Sequence, residues 1–157
     1  MAEADDKDIR PGEVAVALPE GFDAQLYFIG RIRTPWARSS DCPRRGDPDG
    51  GPAIRIEVDP RWQQALQGLS AGDRVQVLYW MDRSRRDLVL QTPAMDGVGR
   101  GTFSLRSPVR PNPIASSVVP LLAIHGPVLT VRGLDCIDGT PLLDIKPAGG
   151  RFEGDHG

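Results

Sequence analysis

The chain is short of several residue types, and each shortage removes a class of explanation. Among 157 residues there are two cysteines, Cys42 and Cys136. They lie far apart and form no CxxC, so a disulfide scaffold is not expected. His125 and His156 are the only histidines, which leaves almost no material for a zinc site, and no metal is expected. His125 stands in "AIHGPV", which reads as a hairpin turn. Lysine occurs only at Lys7 and Lys146, so nearly every positive charge is an arginine, and the formal net charge is −2. Proteins that coat nucleic acid are often strongly basic. This chain offers local arginine clusters for one phosphate or carboxylate rather than a broad basic surface. No apolar run approaches the ~18 residues that a bilayer span requires. No leader is read either, and the expectation is a soluble, cytoplasmic protein.

What is present is mostly strand. "PAIRIEVD" alternates Ile54, Ile56 and Val58 against Arg55 and Glu57, the period-2 pattern of a half-buried strand. "QLYFIGRIRT", "RVQVLYWM", "DLVLQT" and "GTFSLR" are further candidates. "SSVVPLLAIHGPVLTVRGLDCI" predicts two strands joined at His125-Gly126, and "PLLDIK" a last one after the turn "DGT". Only "PRWQQALQGL" (Pro60 to Leu69) has helical character, with Pro60 suited to the first turn and Gly68 near the end. Residues 1–23 read as a mostly disordered arm, with a short ordered piece at "EVAVAL", residues 24–147 as the domain, and 148–157 as a flexible tail. The fold class expected is all-β, a closed or sandwiched sheet with one short helix and long loops.

Three segments hold candidate chemistry. "RSPVRPNPIASSVV" (Arg106 to Val119) opens with three prolines, which deny a sheet its N–H donors and fix φ, so its first half is neither a regular strand nor a helix interior. A stiff loop can hold Arg106, Arg110 and Asn112 in place without an ordering cost on binding. Arginine grips carboxylate or phosphate bidentately, and asparagine reads an amide or base edge. The long loop from Pro35 to Pro52 carries Pro43-Arg44-Arg45, and loops of that length are commonly functional. "LDCIDGTPLLDIKP" carries Asp135, Asp138 and Asp144. Asp138-Gly139 reads equally as a tight turn or as the home of a working carboxylate.

"FSLRSPVRPNPIASSVV" followed by "GLDCIDGTPLLDIKP" resembles the signature of the TsaA/TrmO family, and "FIGRIRTPW" resembles its opening strand. The likeness runs from Phe28 to Pro147. It implies a small single-sheet β-barrel that forms a homodimer, binds S-adenosylmethionine near the subunit interface, and methylates N6 of threonylcarbamoyladenosine at position 37 of tRNA. The residues agree in one respect: no glycine-rich turn lies between a strand and a helix, as a doubly wound methyltransferase requires.

Carried over by motif, the resemblance implies cofactor contacts from Pro43, Arg44 and Arg45, from Arg106 and Ser116, and from Leu134, Asp135, Cys136 and Ile137. Asp82 and Arg83 stand where many relatives have a histidine-bearing contact. The chain also departs from the pattern at Ala115, in place of glycine, and at Ala148, in place of an aromatic. It ends soon after Pro147, where tRNA-acting relatives often carry a further domain. N6 of a purine is a poor nucleophile, so an acceptor for its proton is needed. Asp138 is the candidate, with Asn112 and Arg110 orienting the base or the threonyl carboxylate. Two alternatives remain: a methyltransferase for a small molecule or other nucleoside, and a non-catalytic cofactor-binding module.

Overall fold

Apolar side chains at every second position of Ala53–Val58 leave Ile54, Ile56 and Val58 buried, while Arg55 stays outside. The same alternation buries Val75, Val77 and Tyr79 in Arg74–Trp80. Strands of this kind need a second apolar face, and here they find it by closing on themselves. A computed structural model describes residues 9–94 and 96–149. It divides into two compact units, Leu26–Trp80 with Ser116–Gly157, and Met1–Gln25 with Met81–Ala115.

The strands are β1 (Val14–Ala15), β2 (Gly30–Arg33), β3 (Ala53–Val58), β4 (Arg74–Trp80), β5 (Leu88–Gln91), β6 (Arg100–Gly101), β7 (Ile114–His125), β8 (Val128–Arg132) and β9 (Thr140–Pro147). Six form a closed barrel in the order β2-β3-β8-β7-β4-β9. β2 closes it by pairing antiparallel with both β3 and β9, Gly30 opposite Val58 on one side and Leu142 on the other. Gly30 tolerates no side chain, because a Cβ there would run into the Glu57 carbonyl. The β7–β8 hairpin turns at Gly126, whose φ of 59° suits glycine. Ile32, Ile54, Ile56, Leu129, Val131 and Leu142 are fully buried. Each such side chain contributes about 1.5–3 kcal/mol by leaving water.

The all-β expectation therefore holds, with a closed barrel. A separate three-stranded sheet, β1-β5-β6, lies in the other unit. Three local expectations change. Of Gln25–Thr34 only Gly30–Arg33 is strand, since Tyr27 and Phe28 turn outward, toward the Trp62 ring and the Arg31 guanidinium. "GTFSLR" forms a 3₁₀ turn at Thr102–Ser104 after β6, because the Thr102 and Ser104 hydroxyls donate to the carbonyls of Leu88 and Gly101. The helix after Pro60 is also 3₁₀, over Pro60–Leu66, begun by the Asp59 carboxylate accepting from Arg61 N–H. Val14–Ala15, inside the "EVAVAL" piece of the arm expected to be mostly disordered, pairs with β5. Residues 1–8 of that arm and 150–157 of the expected tail, with His156, lie outside the described residues. Among the described residues no helix is long and apolar enough to cross a membrane.

Candidate functional site

In the barrel unit, the long loop after β2 is held against the segment between β8 and β9. Gly46 meets Gly133 backbone to backbone, so closely that a Cβ on Gly46 would fall on the Gly133 carbonyl. Gly133 has φ of 115°, and a side chain there would press on Pro48 Cα at 3.1 Å. Two glycines thus bring Pro43, Arg44 and Arg45, all exposed, up to the Leu134–Ile137 segment. Leu134 and Cys136 are buried and form its apolar side. Asp135, half-buried between them, has its carboxyl pushed above the usual carboxylate range by burial, and the Gly46 N–H pulls the other way. The Cys136 thiol is pushed up to about 12, chiefly by burial. Cys42 is raised as well, by burial and then by the charges of Asp135 and Asp41. Neither thiol is poised as a nucleophile.

Asp138 follows in an exposed turn. Gly139, with φ of 82°, supplies the positive φ of that turn, and Asp138 does not. Its Oδ1 accepts from Thr34 N–H at 3.0 Å, and its own N–H donates to the Trp36 carbonyl at 2.7 Å. Thr34 Oγ1 donates to the Cys136 carbonyl at 2.8 Å, so the chain leaving β2 is tied to both ends of Cys136–Asp138. Ser116, on β7, accepts from Gln76 of β4 at 2.9 Å. Arg132, which the motif did not flag, ends β8 with a buried Nε that has no hydrogen-bond partner among the described residues.

The other unit carries the proline-rich loop, and a polar network fixes it. Arg110 Nη1 donates to the carbonyls of Leu105 and Ser107, both at 3.0 Å, so this guanidinium turns back on its own loop. Gln91, buried, donates to the Val109 carbonyl at 2.7 Å and to Thr102 Oγ1 at 2.9 Å. Arg86 donates to the Pro111 carbonyl at 2.6 Å and to Asn112 Oδ1 at 3.1 Å. Met81 N–H donates to the Pro113 carbonyl, which joins the turn bearing Asp82 and Arg83 to the same loop. Arg106, Asn112, Asp82 and Arg83 are exposed. Reading the sequence missed Arg86 and Gln91. The charge run "DRSRRD" signals the first, and nothing in the pattern signals the second.

The chain matches the family described as tRNA-methyltransferase O N-terminal domain over residues 31–152. It belongs to that family. A relative in Rhizobium radiobacter, named as a probable S-adenosyl-L-methionine-binding protein, VirR, is 55% identical, across 88% of this chain and 79% of its own length. A mouse protein named tRNA (adenine(37)-N6)-methyltransferase is 36% identical, across 60% of this chain and 22% of its own. The crystal structure of TrmO from Pseudomonas aeruginosa superposes with a TM-score of 0.63 at 29% identity, over 80% of this chain and 56% of that one. The chain thus spans little more than half of the TrmO chain and a fifth of the mouse enzyme. Among the described residues no cluster of three or more histidine, cysteine, aspartate or glutamate side chains could hold a metal.

Proposed function

We propose that this member of the TrmO family is an S-adenosylmethionine-dependent N-methyltransferase acting on N6 of threonylcarbamoyladenosine at tRNA position 37. The observation that carries the reading is the glycine-to-glycine contact that sets the Pro43–Gly46 loop against Leu134–Ile137. The residues gathered there fit the cofactor. Leu134 and Cys136 supply an apolar wall for a nucleoside, and the Asp135 carboxylate accepts from an amine or a ribose hydroxyl. Arg44, Arg45 and the unpartnered Nε of Arg132 offer donors for a carboxylate. When bound, the cofactor supplies a methyl group already activated on a sulfonium.

What the protein must then add is alignment and a proton acceptor, and alignment of this kind is worth about 7–11 kcal/mol in favourable cases. Asp138 is assigned as the acceptor for the N6 proton. Its Oδ1 is engaged by Thr34 N–H, which anchors the carboxylate and leaves Oδ2 to take the proton. Asn112 is assigned to a base edge and Arg106 to an anionic group. Arg110, with two loop carbonyls on one nitrogen, is assigned to shaping that loop as much as to orienting the substrate. Asp82, Arg83 and Ser116 remain assigned to the cofactor. A homodimer is part of the proposal, supported by Val118 and Leu122 standing exposed on the outer face of β7. A cytoplasmic location follows from the substrate.

The name of the Rhizobium relative favours a second reading, a cofactor-binding module without catalysis. Calorimetric titration with S-adenosylmethionine and transfer of labelled methyl to purified tRNA separate the two. Asp138→Asn keeps the acceptor for Thr34 N–H, so the turn and the cofactor affinity should survive while turnover drops ~10²-fold or more. Turnover equal to the unsubstituted protein removes Asp138 from the mechanism.

A further inference from the structure

We infer that Phe22, Arg86 and Asn112 form a ledge that reads one unstacked nucleobase of single-stranded RNA, with Arg86 as its positioning residue. The inference rests on the RNA substrate proposed above, and it adds to Asn112 two side chains, Phe22 and Arg86, which the quoted family motifs do not include. The Arg86 guanidinium lies 5.2 Å from the centroid of the Phe22 ring. From that position it donates to the Pro111 carbonyl at 2.6 Å and to Asn112 Oδ1 at 3.1 Å. One side chain therefore spans an aromatic face and an amide.

The chemistry of the donor fixes the amide. A guanidinium only donates, so the oxygen of Asn112 must face Arg86 and the NH₂ must lie away from it. Among the described residues that NH₂ has no protein partner, and Asn112 is exposed. Arg86 thus presents Asn112 as a donor, with one lone pair of Oδ1 still able to accept. An adenine edge complements that pair, its N7 accepting and its N6–H donating. Phe22 is 84% exposed, a large aromatic that packing has not covered. Bases stack on such rings whatever their sequence. Charge is nearly balanced, seven arginines against six carboxylates over residues 9–25 and 81–115, so the ledge works by stacking and hydrogen bonding rather than by a basic field. Asp87 and Asp96 are paired with Arg85 and Arg100, which leaves those two arginines engaged as well.

The test uses the full chain and two fluorescein-labelled probes, an octamer of riboadenylate and an abasic octamer with the same phosphates, followed by fluorescence anisotropy. The full chain should prefer the riboadenylate. Phe22→Ala should weaken that binding roughly 5- to 150-fold, the range of one lost base stack, with little change toward the abasic probe. Asn112→Asp keeps an acceptor for Arg86, and so the loop, but removes the donor. It should lose about tenfold for riboadenylate, the worth of roughly one hydrogen bond, with an unchanged unfolding midpoint. Arg86→Ala should show the same selective loss. Equal binding of the two probes, or Phe22→Ala binding riboadenylate as the unsubstituted chain does, overturns the ledge. The enzymatic reading fails separately: methyl transfer to tRNA that is indifferent to Phe22→Ala removes the ledge alone. A base preference without any methyl transfer keeps the ledge and removes the enzyme.

Discussion

Each of the two units owes its own shape to a different force. The barrel is closed by Ile32, Ile54, Ile56, Val75, Val77, Leu129, Val131 and Leu142, all at zero exposure, and its strands find their partners by burying every second side chain. In the other unit β1, β5 and β6 are two to four residues long, and Gln91, Thr92 and Thr102 are buried along with Leu88. Directed bonds fix its shape: the Gln91 amide on Val109, the Arg110 and Arg86 guanidiniums on loop carbonyls, and the bidentate Arg85–Asp87 pair. An apolar core tolerates neighbours of similar size, whereas a hydrogen-bonded loop depends on particular atoms. The barrel is a frame closed by apolar packing; the proline-rich unit has a geometry set atom by atom.

The largest effect should come from breaking the frame. Leu129→Ala empties a fully buried site and should lower stability by about 2–5 kcal/mol, read from urea unfolding. A smaller and more local change should follow Gln91→Leu. It strips the Val109 carbonyl of its donor, a cost of about 1–3 kcal/mol for a buried group left unsatisfied. Hydrogen exchange by mass spectrometry should show faster exchange over residues 106–113 and little change in the barrel strands. If exchange rises equally in both, the contrast between the units does not exist. The smallest effect sharpens the barrel side. Burial raises the Asp135 carboxyl above its unfolded value, so its protonated form favours the fold. Its contribution is present below the unfolded pKa of 3.8 and is lost as pH rises through the raised folded value. Asp135→Asn should therefore melt higher than the unsubstituted protein at neutral pH without cofactor, with the gap narrowing on acidification, while its cofactor affinity falls. A melting temperature that drops at neutral pH would mean that the Gly46 contact outweighs desolvation.

The same contrast decides what could be read from the residues. β3, β4 and β8 were legible because a half-buried strand imprints its period on the sequence, β9 because the turn at Asp138-Gly139 precedes it, and the hairpin at His125-Gly126 because Gly126 carries its turn. Strand and turn spacing left a closed and a sandwiched sheet both open, and the family resemblance chose the barrel. Gln25–Ile29 looks like strand by composition, yet its aromatics pack outward, a tertiary choice which propensity does not encode. The candidate site divides likewise. Prolines and arginines announced the Arg106–Asn112 loop, but the residues that hold it, Gln91 and Arg86, lie some 20 residues upstream, and their role exists only once the chain is folded.

The meeting of Gly46 with Gly133 has a consequence for time as well as for shape. Where side chains line a cleft, its width fluctuates as they change rotamer, and a ligand must wait for, and then freeze, one arrangement. Here two peptide planes set the spacing, and neither has a rotamer to lose. A ligand meeting this edge finds the backbone spacing already set and has only the exposed side chains of Arg44 and Arg45 left to order, so association there should be a single fast phase, with discrimination by fit expressed in how quickly poorly fitting ligands leave.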